Sequence, residues 1–279
     1  METLPAIPAA LEPLAVQFCL VFFRISGLMI FAPMIGSERI PKRVKLLFAS
    51  VLSVLTISTL PPGQFVSIPD DPWLVTAGIG GEILFGLAMG VILSLTFIAV
   101  QWAGGLAGQQ MGFNMAGNFN PTSDFGGSPL GDAYYILALL VFLLMDGHHA
   151  MMLGIRSSFD ALPPLSVGLG NGVGETVVDM LAAATVLVVR LAAPVAVAML
   201  VVDLSLGMVG KTIPQMNLLS VGLSVRATVG LIIVIFGLAF TGVVLSESIQ
   251  EALDVAELFW TTPIEPNPNP LAVGGLIDG

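Results

Sequence analysis

Three charged residues lie inside long apolar stretches of the sequence: Arg24, Glu82 and Arg190. An unpaired charge in such a setting costs about 2.5 to 3.5 kcal/mol on insertion scales, so we expect Glu82 to lie between the two arginines in one buried network. The network could be a fixed structural element or a relay for protons or ions. We favour the structural role, because a relay usually needs an acidic group without a fixed basic partner.

Asp146, His148 and His149 are the residues that most resemble a metal site. Adjacent histidines on a helix point about 100° apart, and no third strong ligand is nearby in the sequence, so we predict no metal there. Cys19 is the only cysteine, which excludes an internal disulfide and a cysteine metal cluster. The sequence also lacks a nucleophile elbow, a phosphate loop and a zinc-protease motif. We therefore predict neither an enzyme nor a cofactor.

Residues 108–132 combine methionine and phenylalanine with asparagine, serine and many glycines. This is neither a lipid-facing helix nor an ordinary solvated loop, and such backbone is tolerated at membrane depth only within protein or along an aqueous cavity. Apolar side chains on a glycine-rich backbone could form a compliant seal. The alternative is a long cytoplasmic connection. The candidate sealing residues are Met111, Gly112, Phe113, Met115 and Phe119.

The composition is that of a membrane protein. Of 279 residues, 56% are hydrophobic and only 10% are charged, against about 25% charged in soluble domains. The apolar residues form blocks near the length of about 20 residues that crosses a bilayer as a helix, and they do not alternate as in a β-barrel. The net charge of −10 argues against nucleic acid as a partner. The predicted class is an all-α membrane protein.

Hydropathy predicts about six helical segments, several of them broken, in one helical domain over residues 1–246. An acidic, then proline- and glycine-rich tail covers residues 247–279. The segments are residues 14–35, 46–60, 73 to beyond 100, 133–155, 176–209 and 219–246. The basic loop at residues 36–45 is predicted to be cytoplasmic. The fifth segment, roughly 51 Å long and containing Pro194, should be broken, tilted or partly outside lipid.

Two further patterns suggest contact surfaces. Gly86 and Gly90, like Gly104 and Gly108, are four residues apart, which favours close helix packing either within the chain or between subunits. A polar turn joins the last two long segments, and we predict either that it docks a partner subunit or that it is an ordinary turn. Its residues are Lys211, Pro214, Gln215 and Asn217.

Taken together and in order, these elements resemble the FliR family, called SctT in injectisomes. The resemblance runs to about residue 245. It rests on the Arg24-Ile-Ser-Gly27 opening, Glu82 with its following glycines, the GQQMGF segment before Asn120-Pro121, Asp146-Gly147-His148-His149, and Gly210 to Asn217. The family often has Asp-Pro where this chain has Asn120-Pro121.

The resemblance implies a non-enzymatic channel subunit of the flagellar type III export apparatus in the bacterial inner membrane, at the flagellar basal body. It implies co-assembly with FliP and FliQ into a gated pore for unfolded export substrates, contact with FlhB and FlhA, and a plug loop that matches residues 108–125. The alternatives are a proton-coupled secondary transporter and an injectisome SctT homologue.

Overall fold

The structure is a computed structural model that describes residues 12–37, 40–60, 72–113, 128–165, 172–213 and 218–261. These residues form helices joined by turns, as predicted. The helices are α1 (Glu12–Phe31), α2 (Lys42–Thr59), α3 (Pro72–Gln110), α4 (Pro129–Leu144), α5 (Gly147–Ala161), α6 (Gly172–Thr212) and α7 (Leu218–Thr261).

Three of these helices are long and apolar enough to cross a membrane: α3, α6 and α7. A fourth span is possible if α4 and α5, which are bent by 67° relative to each other, count as one. The number of possible spans is thus three or four among the described residues, and each of the six predicted segments is helical, the fourth as the bent pair of α4 and α5. The apolar part of α1 has fewer than 18 residues, and α2 begins with Lys42, Arg43 and Lys45.

The bend between α4 and α5 lies at Asp146, next to His148 and His149 and inside the fourth predicted segment. Asp146 adopts a positive φ of 54°, a conformation that aspartate tolerates better than most residues. In contrast, Pro194 lies inside α6 without ending it, so α6 is not broken there. In a membrane helix, the backbone group that a proline leaves without its hydrogen bond can be satisfied by small changes in the local helical geometry.

The last helix extends beyond the boundary that we place after residue 246. α7 continues to Thr261, and a stripe of its final turns is buried, consisting of Ile249, Ala252, Ala256, Phe259 and Trp260. Spacings of three and four residues place these side chains on one face of the helix. The acidic part of the predicted tail therefore begins within α7, and residues 262–279 lie outside the described part.

The chain divides into two compact units. Unit 1 comprises Met1–Ser94, His149–Asp179 and Asp254–Gly279, and unit 2 comprises Leu95–His148 and Met180–Leu253. In unit 1, the core contains fully buried side chains from α1, α3, α5 and α7, namely Ile25, Leu28, Phe85, Phe159 and Trp260. In unit 2, Phe97 packs edge-on against Phe142 at a centroid distance of 5.4 Å.

Glycines allow α1 and α3 to approach closely inside unit 1. A Cβ atom at Gly27 would lie 2.5 Å from the carbonyl oxygen of Ile83, and one at Gly90 would lie 2.6 Å from that of Leu28. A Cβ atom at Gly86 would collide with the backbone of Arg24. In unit 2, Gly104 of α3 similarly faces the backbone of α4. At these positions the glycine spacing serves packing within the chain.

We expect Gly86→Ala to lower the stability of the protein by about 1 to 3 kcal/mol, because two helix backbones would have to move apart. The matched control is Gly80→Ala on the same helix, where a Cβ atom would meet nothing within 4 Å. That change should be neutral or stabilising by up to about 1 kcal/mol through helix propensity. Thermal unfolding in detergent measures both. Equal midpoints for the two variants would contradict the close approach of α1 and α3.

Candidate functional site

An ion pair buried in unit 1 is the most constrained polar feature of the described residues. The side chains of Arg24 on α1 and Glu82 on α3 are 1% and 0% exposed. Arg24 Nε donates to Glu82 Oε2 at 2.5 Å. Burial removes both charges from water, so the pair is stable only if the remaining polar atoms are also satisfied.

The other nitrogens of Arg24 bind the end of α5. Its Nη1 donates to the carbonyl oxygen of Ser158 at 3.1 Å and to the Ser158 hydroxyl at 3.3 Å, and its Nη2 donates to the carbonyl oxygen of Leu162 at 3.1 Å. The last carbonyls of a helix have no partner within it and carry partial negative charge. The guanidinium therefore acts as a C-terminal cap for α5.

Two aromatic rings surround the same guanidinium. Arg24 Cζ lies 4.1 Å from the centroid of Phe159 on α5 and 5.1 Å from that of Phe85 on α3. Cations are attracted to aromatic faces at such distances, and more strongly when water is excluded. The rings thus stabilise the charge and exclude water from the pair.

Glu82 extends this centre to the turn after α5. Its Oε1 accepts a hydrogen bond from the backbone N–H of Leu165 at 3.1 Å. Leu165 has a φ of 69°, a left-handed conformation that is uncommon for leucine and costs energy unless its surroundings hold it. Both oxygens of Glu82 are therefore engaged in fixed bonds. This arrangement suits a structural clamp. It does not suit a proton relay, because neither carboxylate oxygen of Glu82 is without a hydrogen-bond partner.

The predicted network of three residues needs correction in its third member. Arg190 is not buried: its side chain is 51% exposed and forms an ion pair with Glu247 in unit 2 at 3.3 Å. Three further residues of the centre, Ser158, Leu162 and Leu165, were not predicted from the sequence. One sequence signal could have indicated them, because Pro163-Pro164 ends a helix and leaves carbonyl groups that need donors.

Of the candidate sealing residues, the structure describes only the first three. Met111 is 0% exposed and packs in unit 2 against Gly230, where an added Cβ atom would lie 2.8 Å from the Met111 sulfur. Gly112 has a φ of 83° beside Leu223 of α7. Phe113 is partly exposed. Met111 is therefore a core side chain of this unit, which argues against its use in a seal. Met115 and Phe119 lie outside the described residues.

The predicted docking turn is described in part. Lys211 is exposed in the last turn of α6, where a positive charge complements the helix dipole. Pro214, Gln215 and Asn217 lie outside the described residues. Within the described residues, which include Asp146, His148 and His149, no three histidine, cysteine, aspartate or glutamate side chains are grouped so that they could hold a metal ion.

These observations define an all-helical membrane protein whose buried polar centre is a fixed clamp between helices. The sequence profile of the bacterial export proteins, family 1, matches residues 15–252, and the chain belongs to this family. It is thus a flagellar biosynthesis and type III export protein with membrane-spanning helices, and its family consists of export components rather than enzymes.

Individual relatives match this chain over most of their own length. The chain is 32% identical to the flagellar biosynthetic protein FliR of Bacillus subtilis (strain 168) over 222 residues, which cover 78% of this chain and 84% of that protein. It is 30% identical to FliR of Aquifex aeolicus (strain VF5) over 257 residues, 89% and 95% of the two chains. The surface presentation of antigens protein SpaR of Shigella flexneri is 25% identical over 219 residues, 77% and 82% of the two chains.

We expect Glu82→Gln to destabilise the protein by about 3 kcal/mol or more, because Arg24 would remain buried without its counter-ion. The control is Arg156→Gln, which removes an exposed ion pair to Asp160 within α5 and should cost about 1 kcal/mol at most. Thermal unfolding in detergent compares the two. Similar midpoints for both variants would show that the buried pair is not a clamp.

Proposed function

We propose that this chain is a structural channel subunit of the flagellar type III protein export apparatus. It co-assembles with FliP and FliQ into a gated pore through which unfolded flagellar export substrates pass, and it contacts FlhB and FlhA. The assembly lies in the bacterial inner membrane at the flagellar basal body. The family match over residues 15–252 supports the export role.

The observation that carries the co-assembly is the exposure of two apolar helices. In the most apolar part of α3, 67% of the residues are buried within the chain, whereas the value is 28% for both α6 and α7. Membrane helices that leave most of their surface uncovered face either lipid or other subunits. Both α6 and α7 also carry charged side chains on their exposed surfaces, which suits protein contacts better than lipid.

The alternative of a proton-coupled secondary transporter receives no support from the buried pair. A carboxylate that takes up and releases protons needs access to water and a changeable partner. Glu82 is completely buried and bonded through both oxygens. The clamp is instead suited to holding unit 1 rigid within a larger assembly.

We expect the chain to form a stable complex only when it is produced together with FliP and FliQ. Without these subunits the uncovered apolar surface of α6 and α7 should lead to aggregation or degradation. Affinity purification from membranes, followed by native mass spectrometry, measures the composition. Recovery of a stable, monodisperse single chain, with no association when all three are present, would contradict the proposal.

Within this pore we propose an apolar seal that begins at Phe113 and continues through Met115 and Phe119. A pore for an unfolded chain must exclude ions at rest, and apolar side chains do so without needing a partner of opposite charge. Gly112, with its left-handed backbone, caps the C-terminal end of α3 just before Phe113. The turn from Lys211 to Asn217 is proposed as a docking site for a further subunit of the apparatus.

We expect Phe113→Gly to increase the leak of small ions across the membrane of cells that contain the assembled complex. The control is Met111→Leu, which conserves volume at a fully buried position and should cost less than about 1.5 kcal/mol without changing conductance. Membrane conductance and complex recovery are measured together. An assembled Phe113→Gly variant with normal conductance would exclude the seal and leave a connecting loop.

A further inference from the structure

The junction of α1 and α2 in unit 1 carries a concentration of positive charge. α2 begins with Lys42, Arg43 and Lys45, and its first turn has no acidic residue. The N-terminus of a helix has a partial positive charge, so cationic side chains in the first turn lower the stability of that helix. The position of these basic residues is therefore not explained by the stability of α2.

One of the three basic residues is bonded within the chain, and the other two are accessible. Lys45 Nζ donates to the carbonyl oxygen of Gly36 at 2.9 Å and so ties the turn after α1 to α2. Lys42 and Arg43 are both exposed. Neither forms an ion pair with a carboxylate among the residues that the structure describes. Two positive charges are thus presented to the surroundings of the protein.

The turn that Lys45 ties to α2 exposes apolar side chains at the same end of the two helices. Met34 adopts a positive φ of 70°, which is rare for a bulky residue and persists only where the surrounding structure holds it. Its side chain is nevertheless 41% exposed. Ile30 and Phe31, at the end of α1, are exposed as well. Apolar side chains and positive charges therefore occur together at this junction.

The outer face of α2 is apolar over most of the helix. Ala49 and Ser53 are buried on its inner side, and the residues on the opposite side, about 180° around the helix, are exposed. The exposed apolar side chains on that side are Val44, Leu47, Val51, Val54 and Leu55, at 49 to 67%. We call these five residues the α2 stripe.

Lipid suits the α2 stripe better than water or a protein partner does. Water would leave its aliphatic side chains hydrated. The two serines nearest to it, Ser50 and Ser58, donate to carbonyl oxygens of their own helix, so their hydroxyl groups are compatible with hydrocarbon and need no protein partner. The positive charges lie at one end of the helix only. That distribution is expected where one end reaches anionic headgroups and the remainder lies against acyl chains.

We propose that the basic end of α2 binds the headgroup of an anionic phospholipid. Lys42 and Arg43 contact the phosphate group, for which both side chains are suitable donors, and the acyl chains lie along the α2 stripe. The predicted cytoplasmic position of residues 36–45 places this end at the leaflet whose surface is negatively charged. The inference concerns contact with lipid and does not depend on the proposed channel role.

The test supplies membranes that contain the chain with photoactivatable phosphatidylglycerol, or with photoactivatable phosphatidylcholine that has the same acyl chains. We expect phosphatidylglycerol to label residues 42–55 at least about tenfold more strongly, because each basic residue near an anionic surface strengthens binding about fivefold. Mass spectrometry of the labelled peptides measures the ratio. K42Q/R43Q should label equally with both lipids, whereas K42R/R43K, which keeps both charges, should retain the preference.

The control for charge elsewhere is R156Q, which removes an exposed basic residue of α5 and should leave the labelling ratio unchanged. K42Q/R43Q is expected to fold, because it removes positive charge from a helix N-terminus, and its unfolding midpoint in neutral detergent verifies this. Equal labelling of the unaltered chain by both lipids would overturn the headgroup site. Labelling of α2 by neither lipid would show that protein or water covers the α2 stripe, which also overturns the inference. If K42Q/R43Q did not fold, the labelling ratio of the unaltered chain would decide.

Discussion

A guanidinium group buried away from water has five N–H donors and a charge to satisfy, and Arg24 of α1 meets this demand with partners from two other segments of unit 1. Glu82 of α3 supplies the counter-charge, and the end of α5 supplies carbonyl oxygens. Two phenylalanine rings supply further attraction to the cation. Because these partners come from α3 and from the end of α5, the side chain of Arg24 fixes the positions of both relative to α1. The left-handed Leu165 is held by the same centre through Glu82.

The close approach of α1 and α3 is what brings the two charges into contact. Gly27 follows Arg24 by three residues, and Gly86 follows Glu82 by four, so each glycine lies on the same helix face as the charge that precedes it. Where two such faces meet at their glycines, the neighbouring charged side chains are directed to the same place. The glycines and the ion pair are therefore two parts of one packing solution. Larger residues at the glycine positions would separate the charges as well as the backbones.

The sequence was sufficient to predict the helical membrane class, the family and the pairing of Arg24 with Glu82, because unpaired charges in apolar helices restrict the possibilities strongly. The burial of Arg190 was predicted wrongly, because depth along a helix says nothing about direction around it. Residues 180, 184, 187, 191, 195 and 199 of α6 form its buried stripe, and Arg190 lies about 100° away from Leu191 on the helix. The assignment of Met111 to the seal met a different difficulty. Its buried partner Gly230 is far away in the sequence, so composition alone could suggest a mobile apolar seal where the fold has a core side chain.

The ion pairs of the two units differ in how many of their polar atoms are already bonded, and this difference bears on their roles. In the Arg24–Glu82 pair, the guanidinium and both carboxylate oxygens have partners within the chain, and the exposed fractions are 1% and 0%. Such a pair can stabilise its own fold but is not accessible for bonding to another molecule. The Asp203–Arg226 pair makes one contact and is 42% exposed on both sides, on a helix that is mostly apolar and mostly uncovered. The first pair is therefore complete within the fold, whereas the second leaves part of both side chains accessible.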